Sequence, residues 1–149
     1  MRRIAWHLLM AMEINDSRGA RLIRILPLCL GTFALGIDAY IMAGLLPGIA
    51  NTFAVSASVA GQTVTMFTAC YAVAAPVFGA LTAGKPVRRV LGAALVLFTL
   101  ANTLSALATS FPVLLLSRAA AGVGAGLYGP SAFSAAASMV SQERRGRAL

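Results

Sequence analysis

Two charged residues, Asp38 and Arg118, each lie inside a long apolar stretch that carries no other charge. A charge at the centre of a bilayer costs about 2.5–3.5 kcal/mol on insertion scales, so such residues are rarely kept without a use. Desolvation favours the neutral form of a carboxylate, and a nearby cation favours its ionised form. An acid and a base in this setting favour a transport pathway through a membrane over a soluble active site.

The composition indicates a membrane protein. The 149-residue chain is 59% hydrophobic and 11% charged, whereas soluble domains are about 25% charged. The net charge is +8, but the basic residues cluster between apolar segments without interleaved aromatic residues, which argues against nucleic-acid binding. The four acids and the single His7 form no paired carboxylates, catalytic triad or metal-ligand set. We therefore expect no enzyme activity, cofactor or metal site.

Residues 1–24 are rich in arginine and contain a short apolar run at positions 4–12. We interpret this segment as a basic cytoplasmic leader that lies at the membrane surface. A cleaved signal peptide and a mis-called start codon are the alternatives. The signal peptide is disfavoured because Glu13 and Asp16 follow the run, where a small-residue cleavage site would be expected.

Four apolar segments are long enough to span a bilayer, since about 20 helical residues cross a core of about 30 Å. They cover residues 25–46, 61–83, 90–109 and 112–140. Pro47 is expected to end the first span, because proline removes a backbone donor. Residues 25–149 are therefore predicted to form an all-α, polytopic membrane helix bundle.

The charges in the connections predict the orientation. Residues 47–60 and 110–111 carry no charge, whereas Lys85, Arg88 and Arg89 follow the second span and three arginines follow the fourth. Basic residues favour the cytoplasmic side of a membrane. We expect a multi-pass protein of the plasma (inner) membrane whose N-terminus is cytoplasmic.

Asp38 and Arg118 are predicted to lie at similar depth. Asp38 precedes Pro47 by nine residues, or about 13 Å, and Arg118 follows Pro112 by six residues, or about 9 Å. If the first and fourth spans face each other, the two side chains can meet directly or through water. A static structural ion pair and a proton-coupling or substrate-contacting pair both remain open.

Small residues recur at three- and four-residue spacing on the fourth span, which lets helices approach closely. These residues are Gly122, Ala125, Gly126 and Gly129, one turn after Arg118, and Pro130 then adds an expected bend. The second span has a similar face, expected to pack inside the bundle, formed by Thr65, Ala69, Ala72, Pro76 and Gly79. Asn102 is expected to make a hydrogen bond between helices.

Three segments carry a family resemblance. Residues 38–47 read DAYIMAGLLP, residues 118–126 read RAAAGVGAG and residues 143–149 read ERRGRAL. In this order and spacing they resemble the first-helix motif, the fourth-helix motif and the basic stretch before the fifth helix in the drug:proton antiporter group of the major facilitator superfamily. Residues 79–89 resemble the family's loop motif only at Gly79, Leu81, Arg88 and Arg89. Ala83 and Pro86 replace its usual acid and second glycine.

The resemblance implies four spans from the N-terminal half of a major facilitator fold, whose further partner would be the missing C-terminal helices. It implies export of a small molecule against proton entry, with Asp38 as the proton-responsive carboxylate and Arg118 as its modulator or a substrate contact. Gly122, Gly126, Gly129 and Pro130 would permit close packing and rocking. Gly79, Arg88 and Arg89 would form the cytoplasmic gate loop.

Two alternatives to this function stay open, namely an inactive truncated fragment and an interaction module that assembles with a separately encoded remainder. We expect residues 1–149 alone not to transport, because four helices supply one wall of a cavity. In that case the surface formed by Gly122, Ala125, Gly126 and Gly129 on the fourth span, here called the glycine groove, would face lipid.

Overall fold

Four helices account for the fold. The computed structural model describes the backbone of residues 2–145 and the side chains of residues 26–38 and 40–137. The helices are α1 (Arg2–Thr52), α2 (Ala57–Leu81), α3 (Val87–Ala106) and α4 (Phe111–Arg145). No strand occurs between residues 2 and 145. The arginines of the predicted leader and residues 143–149 lie outside the described side chains.

Each helix contains a segment long and apolar enough to cross a membrane. These segments are Leu26–Thr52, Ala57–Leu81, Val87–Ala106 and Phe111–Ala137. In water these helices would expose a large apolar surface. In a bilayer that surface contacts lipid, and the helical backbone groups are paired within each helix. The prediction of an all-α bundle with four spans is confirmed.

Proline does not end the first span, contrary to the prediction from Pro47. Helix α1 contains Pro27 and Pro47 and continues to Thr52. A proline removes one backbone donor, but ending the helix inside a membrane would leave several more groups unpaired at several kcal/mol each. Continuation is therefore the less costly arrangement.

The ends of the other helices differ from the prediction because local caps determine them. Helix α2 begins at Ala57, before residue 61, because the Ser56 hydroxyl accepts a hydrogen bond from the Val59 amide at 3.3 Å. Helix α3 begins at Val87, directly after Pro86, since proline suits a helix start. Between them, Gly84 adopts a φ of +79° that other residues rarely take.

Helix α4 is the centre of the bundle. Half of its apolar window is buried, against 6–22% for the other three spans, and it packs against α2, α3 and α1. A Cβ atom on Gly126 would lie 2.6 Å from Cβ of Ala74, and one on Gly124 would lie 3.0 Å from the Phe98 amide nitrogen. A Cβ on Gly122 would overlap the Phe67 carbonyl oxygen. The glycine groove is thus filled by α2 and α3, so the expectation that it faces lipid is wrong.

Helix α2 packs through a different face from the one predicted. Thr65, Ala69, Ala72 and Pro76 are exposed, whereas Thr63 and Ala74 are buried and Phe67 and Cys70 approach Gly122. The prediction was wrong because the glycines of α4 already supply the space for a close approach. The facing surface of α2 therefore need not consist of small residues.

Candidate functional site

Asp38 and Arg118 meet directly. Arg118 Nη2 donates to Asp38 Oδ2 at 2.7 Å, and Arg118 Nη1 donates to Asp38 Oδ1 at 3.2 Å. This is a two-point contact between a planar guanidinium and a carboxylate, which fixes orientation as well as distance. It joins α1 to α4, so the two side chains meet directly and not through water.

Asn102 completes the arrangement from α3. Its Oδ1 accepts a hydrogen bond from Arg118 Nη1 at 3.1 Å, and its Nδ2 donates to the Phe98 carbonyl at 3.1 Å. The bond to the carbonyl orients the amide so that its oxygen faces the guanidinium. The predicted hydrogen bond from Asn102 to another helix is present, and its partner is the buried charge.

An aromatic ring covers the guanidinium on another side. Cζ of Arg118 lies 4.7 Å from the centroid of the Phe67 ring, close enough for a cation–π interaction. The Phe67 ring also stacks on Tyr71, with centroids 6.4 Å apart. Helix α2 therefore contributes an apolar, electron-rich surface to a cluster that α1, α3 and α4 supply with polar groups.

The two members of the pair differ in exposure. The Arg118 side chain is 1% exposed and that of Asp38 is 14% exposed. Arg118 Nε is buried and has no hydrogen-bond partner among the described residues. The pair thus consists of an enclosed cation and a carboxylate that retains access to space outside the helix contacts.

That space is a cavity of about 480 Å³, the Asp38 cavity, between α1 and α3. Its polar wall is supplied by Asp38, Thr52, Asn102 and Ser105. Phe53 and Leu114 lie towards the end of the bundle with the uncharged connections. Ser105 is in turn hydrogen-bonded to the buried Ser117 hydroxyl at 2.7 Å. The carboxylate therefore faces both the guanidinium and this cavity.

A second cavity of about 670 Å³, the aromatic cavity, lies between α1, α2 and α4. Its wall includes Phe33, Phe67, Tyr71, Tyr128 and Phe133, and no charged side chain lines it among the described residues. Asp38 is absent from its lining, because Phe67 lies between this cavity and the ion pair. The volume falls within the range of about 300–1,000 Å³ typical of small-molecule sites.

The predicted gate-loop residues do not form one loop. Gly79 lies within α2, where an added Cβ would be 3.7 Å from Pro130. Arg88 and Arg89 lie in the first turn of α3 and are exposed. They belong to the helix because Pro86 starts it earlier than residue 90. The residues between the two helices are only Thr82–Pro86.

Gly129 and Pro130 also differ from the other predicted packing residues. A Cβ on Gly129 would meet the Tyr71 hydroxyl at 3.5 Å, an ordinary contact. Helix α4 continues through Pro130 to Arg145. Among the glycines of α4, the tight approaches are therefore limited to the segment from Gly122 to Gly126.

Tyr128 and Phe67 are site residues that the sequence interpretation missed. Tyr128 is 2% exposed, and its hydroxyl donates to the Leu28 carbonyl at 3.1 Å. A phenol within an apolar span needs a polar partner, which was an available signal for Tyr128. No comparable signal distinguishes Phe67 from the other apolar residues of its span.

The sequence profile of the Major Facilitator Superfamily matches residues 28–149, which include all four spans and both members of the ion pair. The chain belongs to the Major Facilitator Superfamily. It is accordingly a multi-pass membrane protein of a transporter family and not an enzyme. No solved structure shows a significant match.

Similar members of the Major Facilitator Superfamily include proteins from Bacillus subtilis and Streptomyces lividans. The uncharacterised transporters YbcL and YfhI of Bacillus subtilis are 32% and 33% identical over 85% and 92% of this chain. A chloramphenicol resistance protein of Streptomyces lividans is 33% identical over 82% of it. The matched regions cover 32%, 34% and 31% of these relatives, so the chain spans about a third of their length.

Proposed function

We propose that this chain forms the part of a secondary transporter that couples proton entry to the export of a small molecule. Asp38 is the proton-responsive carboxylate, and Arg118 is the fixed positive charge that pairs with it. The observation that carries the proposal is the two-point ion pair between Asp38 and Arg118, with bonds of 2.7 and 3.2 Å.

The unequal exposure of the pair supports this division of roles. Arginine keeps its charge at all physiological pH values, and Arg118 is 1% exposed, so the guanidinium is a fixed charge. Asp38 is 14% exposed and lines a cavity, so the carboxylate is the member that can gain and lose a proton. A pair with two enclosed members would fit a static structural role better.

The orientation follows from the basic residues. Lys85, Arg88 and Arg89 are all exposed on the connection from α2 to α3, and the two other connections carry no charge. The positive-inside rule then makes the α2–α3 connection and the N-terminus cytoplasmic in the plasma membrane. The Asp38 cavity lies towards the opposite, external end, which agrees with proton entry from outside.

The relative from Streptomyces lividans supports an uncharged, ring-containing compound as cargo. Its name assigns it to chloramphenicol resistance. The aromatic cavity of this chain offers rings without charged groups, and such walls bind flat apolar molecules through burial and stacking. Chloramphenicol is therefore the first compound to test.

The test is efflux from cells that produce an intact transporter carrying this segment and are preloaded with labelled chloramphenicol, with and without a protonophore. We expect faster efflux than in vector controls, abolished by the protonophore and by Asp38→Asn, which keeps the shape but removes the switchable charge. Ser105→Ala, in the same cavity but outside the ion pair, is the matched control. Normal proton-driven efflux by Asp38→Asn at equal membrane abundance would exclude the coupling role.

A further inference from the structure

Arg118 has a hydrogen-bond partner whose contact does not depend on proton uptake by Asp38. Nη1 of Arg118 donates both to Asp38 Oδ1 and to Asn102 Oδ1, at 3.2 and 3.1 Å. The Asn102 amide does not titrate, and its Nδ2 is tied to the Phe98 carbonyl at 3.1 Å. Its oxygen is therefore held towards the guanidinium whatever the state of the carboxylate.

The need for such a partner arises when Asp38 takes up a proton. The guanidinium then loses its counter-charge but keeps its own charge, and a buried charge without a partner is strongly destabilising. Arg118 is 1% exposed, and its Nε already lacks a partner among the described residues. A protonated Asp38 keeps one neutral carbonyl oxygen as an acceptor. The other polar acceptor in contact with this guanidinium is Asn102 Oδ1, since Phe67 offers only a ring face.

We propose that Asn102 is a positioning residue that retains Arg118 in place while Asp38 is protonated, and so sets the pH at which Asp38 exchanges its proton. The part that this plays in transport rests on the function proposed above. The effect of Asn102 on the proton equilibrium of Asp38 does not depend on which compound is transported.

Other titratable groups near the pair are few. Among the described side chains, α1 contributes Cys29 and Tyr40, α2 contributes Cys70 and Tyr71, and α4 contributes Tyr128 besides Arg118. The charged residues of α3 are Arg88 and Arg89 in its first turn, more than three turns from Asn102. The charge that faces Asp38 at its own level is therefore Arg118.

The direction of the effect follows from this arrangement. The bond from Asn102 contributes to both states of the pair, but it contributes more once Asp38 is neutral, because the guanidinium then has no competing anion. Its removal destabilises the protonated state more than the ionised state. Asn102→Leu should therefore lower the pH at which half of Asp38 is protonated, by about one unit, which corresponds to a tenfold change in proton affinity.

The experiment is a pH titration of the purified protein in lipid vesicles, followed by infrared difference spectroscopy of the protonated carboxyl group. The band that disappears in Asp38→Asn identifies Asp38. The variants are Asn102→Leu, which removes the acceptor, and Asn102→Gln, which keeps one. Ser105→Ala, on the same helix and cavity but bonded to Ser117 instead of Arg118, is the matched control. If Asn102→Leu does not fold, Asn102→Ser is used instead. The serine side chain is polar, but its hydroxyl is too short to reach Nη1 of Arg118.

A lower midpoint in Asn102→Leu or Asn102→Ser, with a near-native midpoint in Asn102→Gln and Ser105→Ala, supports the proposal. An unchanged midpoint, an equal shift in Ser105→Ala, or a native Asp38 that never titrates would overturn it. The titration needs no cargo, so the expected midpoints together with absent efflux would reject only the transport function. Proton-driven efflux with an unchanged midpoint would reject only the role of Asn102.

Discussion

The side chain of Tyr128 occupies the space that a side chain at Gly31 would need. A Cβ atom built on Gly31 would overlap the hydroxyl and the ring of Tyr128. The hydroxyl lies there because it donates to the carbonyls of Leu28, at 3.1 Å, and Pro27, at 3.4 Å. Glycine at position 31 thus allows α4 to reach the backbone of α1 well away from the ion pair.

Gly31→Ala should destabilise the protein by about 1–3 kcal/mol, the usual cost of overpacking. Tyr128 is 2% exposed, and moving its ring away from Gly31 would break the hydrogen bond from its hydroxyl to the Leu28 carbonyl. The matched control is Gly36→Ala on the same helix, because a Cβ there meets nothing within 4 Å. Thermal unfolding in detergent should show a lower transition temperature for Gly31→Ala only. Equal transitions for the two variants would contradict this contact.

Gly122→Ala and Gly92→Ala should change stability in opposite directions. At Gly122 the new methyl group meets the Phe67 carbonyl oxygen of α2, and a backbone atom cannot rotate away. At Gly92 nothing lies within 4 Å, so alanine should stabilise α3 by up to about 1 kcal/mol through its higher helix propensity. Denaturant unfolding of both variants is the measurement, and loss of stability in Gly92→Ala would show an unrecognised contact on α3.

Asp38→Ala should cost more stability than Arg118→Ala. Removing the carboxylate leaves an enclosed cation that cannot lose its charge, whereas removing the guanidinium leaves an acid that can protonate. Breaking a buried pair costs about 3–5 kcal/mol, and removing both partners recovers part of that loss. A double-mutant cycle on the free energy of unfolding tests this. Additive losses would show that the two side chains are not coupled.

Cysteine labelling should locate the α2–α3 connection in the cytoplasm. Asn51 and Arg88 are both exposed and lie at opposite ends of the bundle. In a background without Cys29 and Cys70, a membrane-impermeant maleimide added to intact cells should label Asn51→Cys but not Arg88→Cys. The reverse pattern would invert the orientation, and labelling of both only after permeabilisation would also disagree with it.

The number of spans and the pairing of Asp38 with Arg118 could be predicted because both follow from the cost of polar groups in hydrocarbon. Long uncharged segments have few alternatives to spanning a bilayer. Two opposite charges at similar depth have few partners other than each other. Neither cost depends on how the helices are arranged.

The helix faces and ends were harder to predict because they depend on the neighbouring helix. The spacing of Thr65, Ala69 and Ala72 indicates a small face but not whether a partner meets it. In the structure the glycines of α4 make the room instead. Pro47 lies inside α1 because the backbone groups around it are better paired in a helix, which a residue-by-residue propensity does not capture. Phe67 has no polar atom to mark its contact with Arg118.

Two polar contacts at separate levels join α1 to α4. One is the hydrogen bond from Tyr128 to the Leu28 carbonyl, and the other is the ion pair between Arg118 and Asp38. These attachments are ten residues apart on each helix, or about 15 Å. The first involves a neutral hydroxyl and a backbone carbonyl, and the second involves a carboxylate that protons can neutralise. If Asp38 takes up a proton as proposed, the contact at Arg118 weakens while the contact at Tyr128 is unaffected, and Tyr128 becomes the pivot of α1.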